Sequence, residues 1–222
     1  MPLSTPQVIV PDKCIFYLDG TKECTGKWKR TSIYDVDIID KRYTSKSNSG
    51  QIVFHAKKIQ NPSGAYSASL FAKRNEVAYG YGEVGFYFND SCSFDCGYKY
   101  NSYVFIDDRS TASGDNSISV SSIISGKELD PFFMTFCKDI DGTCYITLDG
   151  KLIHTTNATN ALKSPTNFFD IINLFNADGD GAMVGWIDKV TIHKDICMYK
   201  EDFIPPNYDT DYNFDVNFST DD

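Results

Sequence analysis

Residues 131–153, PFFMTFCKDIDGTCYITLDGKLI, and residues 168–194, FFDIINLFNADGDGAMVGWIDKVTIHK, decide the fold. The first stretch gives an apolar strand at 132–136, a polar turn at 138–143 and a second strand at 144–148. Leu148-Asp149-Gly150 then turns the chain into a third strand that starts at Lys151. Asp-Gly pairs between apolar runs are hairpin chemistry, because glycine takes the positive φ that a tight turn needs. These three strands make a β-meander. The second stretch gives a buried strand, an acidic glycine loop, and a closing strand centred on Gly185 to Val190.

Working outward, QIVFHA from 51, YSASLFA from 66, VGFYF from 84 and YVFID from 103 are apolar runs of strand length, expected to be more fully buried. Tyr34, Val36 and Ile38 alternate with Asp35 and Asp37, and Ile118, Val120 and Ile124 stand against serines, which is the period of strands with one wet face. NPSG, SGDN, LDG and NADGDG supply turns between them. Helical periodicity is missing throughout, and GKELDP from 126 is expected to make one short helical turn. Many short strands without crossover helices predict an all-β protein, a two-sheet antiparallel jelly-roll sandwich. The expected organisation is an N-terminal arm over 1–10, one sandwich domain over 11–199, and an acidic tail over 200–222. That tail carries Glu201, Asp202, Asp209, Asp211, Asp215, Asp221 and Asp222 against Lys200, together with Tyr208, Tyr212, Phe214 and Phe218. It is expected to lie along the sandwich, to dock on a neighbouring subunit, or to stay solvated.

Tyr145-Ile146-Thr147-Leu148-Asp149-Gly150-Lys151, followed by the strand Gly185 through Ile192, resembles the laminin-G-like and concanavalin A-like families. Their members carry a Tyr-x-Asp-Gly-Lys type of hairpin before a closing Gly-x-Ile-Asp-x-Val-x-Ile strand. The resemblance covers about residues 130–196, and PDKCIFYLDG from 11 looks like a first strand. It implies a jelly roll of two antiparallel sheets, often with a concave face and rim loops that bind sugars, proteins or calcium. Other members are structural modules of surface proteins and viral fibres, so the resemblance implies an architecture and a binding face, not a ligand.

Composition narrows the function classes. With 222 residues, 16 Phe and 14 Tyr, the chain is long enough for a large core and too rich in core-formers for disorder. A formal charge of −9 argues against nucleic acid and anionic membranes as partners, and favours neutral or cationic ones. No apolar run reaches the roughly 18 residues a membrane-spanning helix needs. The start, MPLSTPQVIVP, lacks the basic and apolar regions of a signal peptide, so either a leader has been trimmed or export takes another route, such as a virus particle. The seven cysteines allow local bridges Cys137–Cys144, Cys92–Cys96 and Cys14–Cys24 with Cys197 free, or seven reduced thiols. Their spacing, with His55, His154 and His193 standing alone, is not that of a zinc site. Sequons at Asn89, Asn157 and Asn217 fit an extracellular setting.

Three motifs bear on chemistry. Asn176, Asp178 and Asp180, with Gly181 after them, follow the opening of a calcium-loop pattern, but the closing Glu is replaced by Ile187. An EF-hand is therefore excluded, and calcium in a looser rim site is the cofactor expectation. Gly80, Gly82 and Gly85 have phosphate-loop spacing, yet a strand rather than a helix follows them. Asp35 and Asp37 lie in the nearest approach to the paired carboxylates of a glycoside hydrolase, without the glutamates such an array uses. No catalytic residue is assigned. Sugars stack on aromatic rings, so Tyr79, Tyr81, Tyr98 and Tyr100 are the candidate ligand-binding residues, while Trp186 is read as core. The expectation is a non-enzymatic, lectin-like module that binds a glycan or surface protein at an extracellular, cell-surface or virion location. The alternatives are a structural subunit that self-assembles through arm and tail, and a divergent glycoside-active enzyme.

Overall fold

The computed structural model describes residues 10, 12–21, 26–76, 84–88, 94–99, 103–108, 116–156, 168–175 and 181–208. Strands β1 (Cys14–Leu18), β3 (Val36–Ile39), β4 (Arg42–Ser45), β6 (Tyr66–Arg74), β11 (Phe132–Lys138), β12 (Cys144–Leu148), β13 (Lys151–Thr156) and β15 (Gly185–Lys194) form one antiparallel sheet. Its order is β13-β12-β11-β6-β15-β4-β3, with β1 also paired to β15. A second antiparallel sheet orders β10 (Asn116–Ser119), β9 (Tyr103–Asp108), β8 (Phe94–Lys99), β7 (Val84–Phe88), β14 (Phe168–Phe175), β5 (Gln51–Gln60) and β2 (Trp28–Tyr34) in that spatial sequence. The predicted meander is β11-β12-β13, and the closing strand β15 lies between β6 and β4.

Alternation along each strand builds the core. Ala68, Leu70 and Ala72 of β6, Met134 and Phe136 of β11, Ile146 and Leu148 of β12, and Val190 and Ile192 of β15 face the second sheet. Phe54, Val84, Phe86, Phe88, Phe169, Ile172 and Leu174 meet them from that sheet. Trp28 is tucked edge-on to Phe16 at 5.7 Å, and its indole N–H donates to the Ile15 carbonyl at 2.8 Å, so the one polar atom of the ring is satisfied inside the core.

The opposite face of the first sheet is also covered, because residues 195–208 run across it as a strap. Ser67 anchors the strap's start: its hydroxyl donates to the Ile196 carbonyl at 2.9 Å and accepts from the Met198 N–H at 2.8 Å. The Phe203 N–H donates to the Gly150 carbonyl at 2.8 Å, and Asp202 accepts the Leu152 N–H at 2.8 Å. Phe71 and Phe133 of the sheet pack with Tyr199 and Phe203 of the strap in a second apolar cluster. Gly150 has φ +74, and a Cβ there would sit 2.2 Å from the Phe203 carbonyl oxygen. Only glycine lets the strap pass this close to the β12-β13 turn.

The structure corrects several local expectations. Residues 34–38 do not form one strand: Asp35 takes φ +50, the chain passes from β2 in one sheet to β3 in the other, and only Val36 points inward. Tyr34 is 63% and Ile38 48% exposed. The helical turn is α1 (Ser121–Ile124), not 126–131, because Ser119 turns the chain out of β10 through its hydroxyl and Ile123 and Ile124 both reach the core. Cys137 and Cys144 do not bridge the hairpin, since Cys137 faces the strap and Cys144 the inter-sheet core; Cys14, Cys137, Cys144 and Cys197 are all free thiols.

Phe203 is 7% exposed, so Phe203→Ala should cost about 3 kcal/mol by the loss of buried ring and the cavity left behind. Tyr34→Ala at the exposed edge should stay within about 0.5 kcal/mol. Urea unfolding of both variants checks the contrast.

Candidate functional site

The sequence-predicted site residues lie almost wholly outside the described residues. Tyr79, Tyr81, Tyr100, Asn176, Asp178 and Asp180 are not among them, and Tyr98 is described only through its backbone, which pairs with Val84 and Val104. The strands that flank these loops do have a defined register. Leu174 pairs with Phe86, so β14 ends beside the start of β7. Val84 pairs with Tyr98, so the β8-β9 connection emerges at that same end. The Asn75 N–H donates to the Val184 carbonyl at 3.0 Å, which ties the chain entering loop 77–83 to the chain leaving loop 176–180. The end of β14, the start of β7 and the end of β8 therefore lie at one rim of the sandwich.

A second feature lies beside α1. A cavity of about 170 Å³ is lined by Ile123, Ile124, Lys127, Phe132, Leu148 and Asp149, among others. The volume falls below the roughly 300 Å³ at which drug-sized sites begin, so it accommodates one small group. Asp149 takes φ +48, and its carboxylate accepts the Phe133 N–H at 2.9 Å, which fixes it at the wall.

The third is a polar network beneath the end of the strap. Tyr208 donates to Asp188 at 2.5 Å and accepts from the Arg42 Nε at 3.0 Å. The Arg42 guanidinium stacks over Trp186 at 4.4 Å, and Asp188 also accepts the Gly20 N–H at 3.1 Å. Asp19 accepts from the Tyr17 hydroxyl at 2.8 Å and pairs with Lys189 at 3.6 Å. Burial raises the Asp188 pKa, and the Tyr208 hydroxyl only partly offsets it. Burial also opposes ionisation of Asp19, but hydrogen bonds from Thr21 and Tyr17 outweigh it and hold the carboxyl below its usual range. Each polar group here serves the strap or the β1 end, and Trp186 is core, as read from sequence.

Catalytic alternatives find no support in the described residues. Asp35 accepts from the Ser47 hydroxyl and Asp37 pairs with Lys46 at 3.0 Å, so both carboxylates stitch the local hairpins, and the interruption between β2 and β3 at Asp35 removes them from a common strand. Gly85 lies in β7, paired to Gly97, so a strand rather than a phosphate-binding helix follows the glycine motif. Among the described residues no group of three or more His, Cys, Asp or Glu is arranged to hold a metal.

No protein-family profile matches the chain, and no curated protein matches it. Solved structures do. The receptor-binding domain of botulinum neurotoxin D aligns with a TM-score of 0.63 at 12% identity, covering 83% of this chain and 50% of that one. A structure of botulinum neurotoxin type C, whose cell entry depends upon interaction with two ganglioside molecules, aligns at TM-score 0.60 and 17% identity, with 83% and 48% covered. The binding domain of botulinum neurotoxin DC in complex with rat synaptotagmin II aligns at 0.59 and 15%, with 83% and 49% covered. The chain thus spans about half the length of these structures and shares the fold of the aligned half. The neurotoxin D and neurotoxin DC structures are binding domains.

His193 yields a pH prediction. It is fully buried on β15, its Nε2 accepts the Val10 N–H at 3.2 Å, and burial lowers its pKa from 6.5 to about 4. The unfolded chain then binds this proton first on acidification, so stability present above pH 6.5 is lost as pH falls towards 4. The loss amounts to about 3 kcal/mol. His193→Gln should flatten that stretch of the stability-pH curve, measured by urea unfolding at successive pH values, while gains from carboxyls such as Asp188 remain in both proteins.

Proposed function

We propose that this chain is a non-enzymatic recognition module of the extracellular or cell-surface environment that binds a glycan through the rim loops. The observation that carries the reading is the register that brings the end of β14, the start of β7 and the end of β8 to one rim of a sandwich shared with toxin receptor-binding domains. Tyr79, Tyr81, Tyr98 and Tyr100 would supply ring faces for sugar C–H groups, and the acidic loop would accept sugar hydroxyls directly or through calcium held by Asn176, Asp178 and Asp180. The neighbours lend support: a neurotoxin C that uses gangliosides and a neurotoxin D domain bound to N-acetylneuraminic acid.

One observation favours a second reading, a protein-binding or assembling subunit. Ile33, Tyr34, Ile38 and Ile39 are large exposed apolar residues where β2 and β3 form the edges of the two sheets. Open apolar strand edges invite pairing with another chain.

A glycan array with calcium and with chelator tests the proposal. Specific binding is expected, and Tyr79→Ala or Tyr81→Ala should each weaken it about tenfold, the equivalent of about 1.4 kcal/mol for one lost stacking contact. Binding that chelator and Asp178→Asn both abolish assigns calcium a part, and binding indifferent to both removes it. No glycan binding, with self-association that Ile38→Asp disrupts, selects the second reading.

A further inference from the structure

The charge of this chain is unevenly distributed. No Asp or Glu occurs between Asp40 and Glu76, nor in residues 26–34. These two segments hold Lys27, Lys29, Arg30, Lys41, Arg42, Lys46, Lys57, Lys58, Lys73 and Arg74, ten of the 21 Lys and Arg residues in a chain of net charge −9. The fold puts part of this set on one surface. Strands β2 and β5 are neighbours at the edge of the second sheet, with Lys29 directly opposite His55 and Trp28 opposite Ala56. Trp28 and Phe54 point into the core, so Lys29 and His55 stand on the outer face. Lys27, Lys29, Arg30, His55, Lys57 and Lys58 are all exposed. Lys46, Lys189 and Lys200 pair with Asp37, Asp19 and Asp139 elsewhere in the fold.

We propose that the outer face of β2 and β5 is a binding surface for an anionic polysaccharide, a sulfated or carboxylated glycan, with Lys29, His55 and Lys57 at its centre. The proposal rests on the glycan-binding reading and gives it a second surface with a defined charge. Diagonal neighbours on paired strands, such as Lys29 and Lys57, sit roughly 7–8 Å apart, which presents ammonium groups at a fixed spacing to a repeating anion. Clusters of Lys and Arg of this kind concentrate polyanions by field and by release of their counterions. The Lys58 ammonium lies 4.2 Å over the Phe168 ring, an aromatic surface next to the cations. An anionic membrane fits less well, since a membrane face joins its cations to insertable apolar groups. On β2, Thr31 and Ser32 follow these cations and separate them from the exposed Ile33 and Tyr34 at the strand's far end.

The test uses the full chain on immobilised heparin with a salt gradient. Retention at physiological ionic strength is expected, and Lys29→Glu/Lys57→Glu should abolish it and lower the salt slope of binding by roughly two. Lys151→Glu/Lys200→Glu, on the strap-covered side, makes the same change in net charge and should leave retention nearly intact. Equal loss in both double variants, or no retention of the wild-type chain, overturns the proposal. So does binding to phosphatidylserine vesicles in place of heparin. Salt-sensitive dimerisation that Lys29→Glu/Lys57→Glu breaks, without heparin binding, overturns it in favour of a second copy bearing the acidic tail. Neutral glycans on the array separate the two readings. Their binding persisting in Lys29→Glu/Lys57→Glu upholds the rim, and heparin binding without any neutral-glycan binding overturns the rim alone.

Discussion

A central sheet whose two faces are both apolar has to be covered twice, and much of this structure follows from that constraint. Strands β6, β11 and β15 alternate Ala, Leu, Met and Ile on one side with Phe71, Phe133, Cys137 and Trp186 on the other. The second sheet covers the first side. The strap covers the other, and removing several aromatic rings from water at about 25 cal/mol per Å² offsets the entropy of fixing an otherwise irregular segment. Gly150 is the geometric condition for that cover, because any side chain there would collide with the strap's backbone.

Burial on both faces also explains the polar residues inside the sheet. Ser69 bonds Thr191 at 2.6 Å and Thr135 bonds Thr147 at 2.7 Å beneath the strap, so each hydroxyl satisfies another. Ser67 and Cys137 turn their polar atoms to the strap's backbone instead, and the Tyr199 N–H donates to the Cys137 sulfur at 3.3 Å. At the strap's far end, Tyr208, Arg42 and Asp188 form a partly buried ionic cluster. Its members depend on one another, since an unpaired Asp188 at 2% exposure would carry a full desolvation cost.

Surface chemistry is separated from this core. The rim at the start of β7 and the ends of β8 and β14, the small cavity beside α1 and the basic face of β2 and β5 are distinct regions of one sandwich. Net charge alone argues against anionic partners, but attraction is set by local charge, since screening limits its reach to roughly 10 Å. A protein of net charge −9 can therefore present a cationic face on two paired strands, β2 and β5, that themselves contain no Asp or Glu.

The strands, their turns and the antiparallel sandwich were legible because hairpin glycines and apolar runs are local signals, and Cys144-Tyr145-Ile146-Thr147-Leu148 or Phe132 to Phe136 admit little else. The candidate rim was legible only as loop composition; that the strand ends flanking its loops lie together rests on the register of β7, β8 and β14, which no local pattern encodes. The acid-free run from 41 to 75 was present in the sequence, but its pairing with residues 26–34 required the β2-β5 ladder. Alternation misread residues 34–38, because a left-handed Asp35 transfers the chain between sheets and the period carries through a break it cannot detect. By itself, then, the sequence determined which segments become strands and where they turn, since backbone preference and side-chain period act over a few residues. Only the tertiary structure decided that the central sheet is covered twice, that Cys137 and Cys144 face apart, and which cations meet, because those outcomes depend on contacts between residues far apart in the chain.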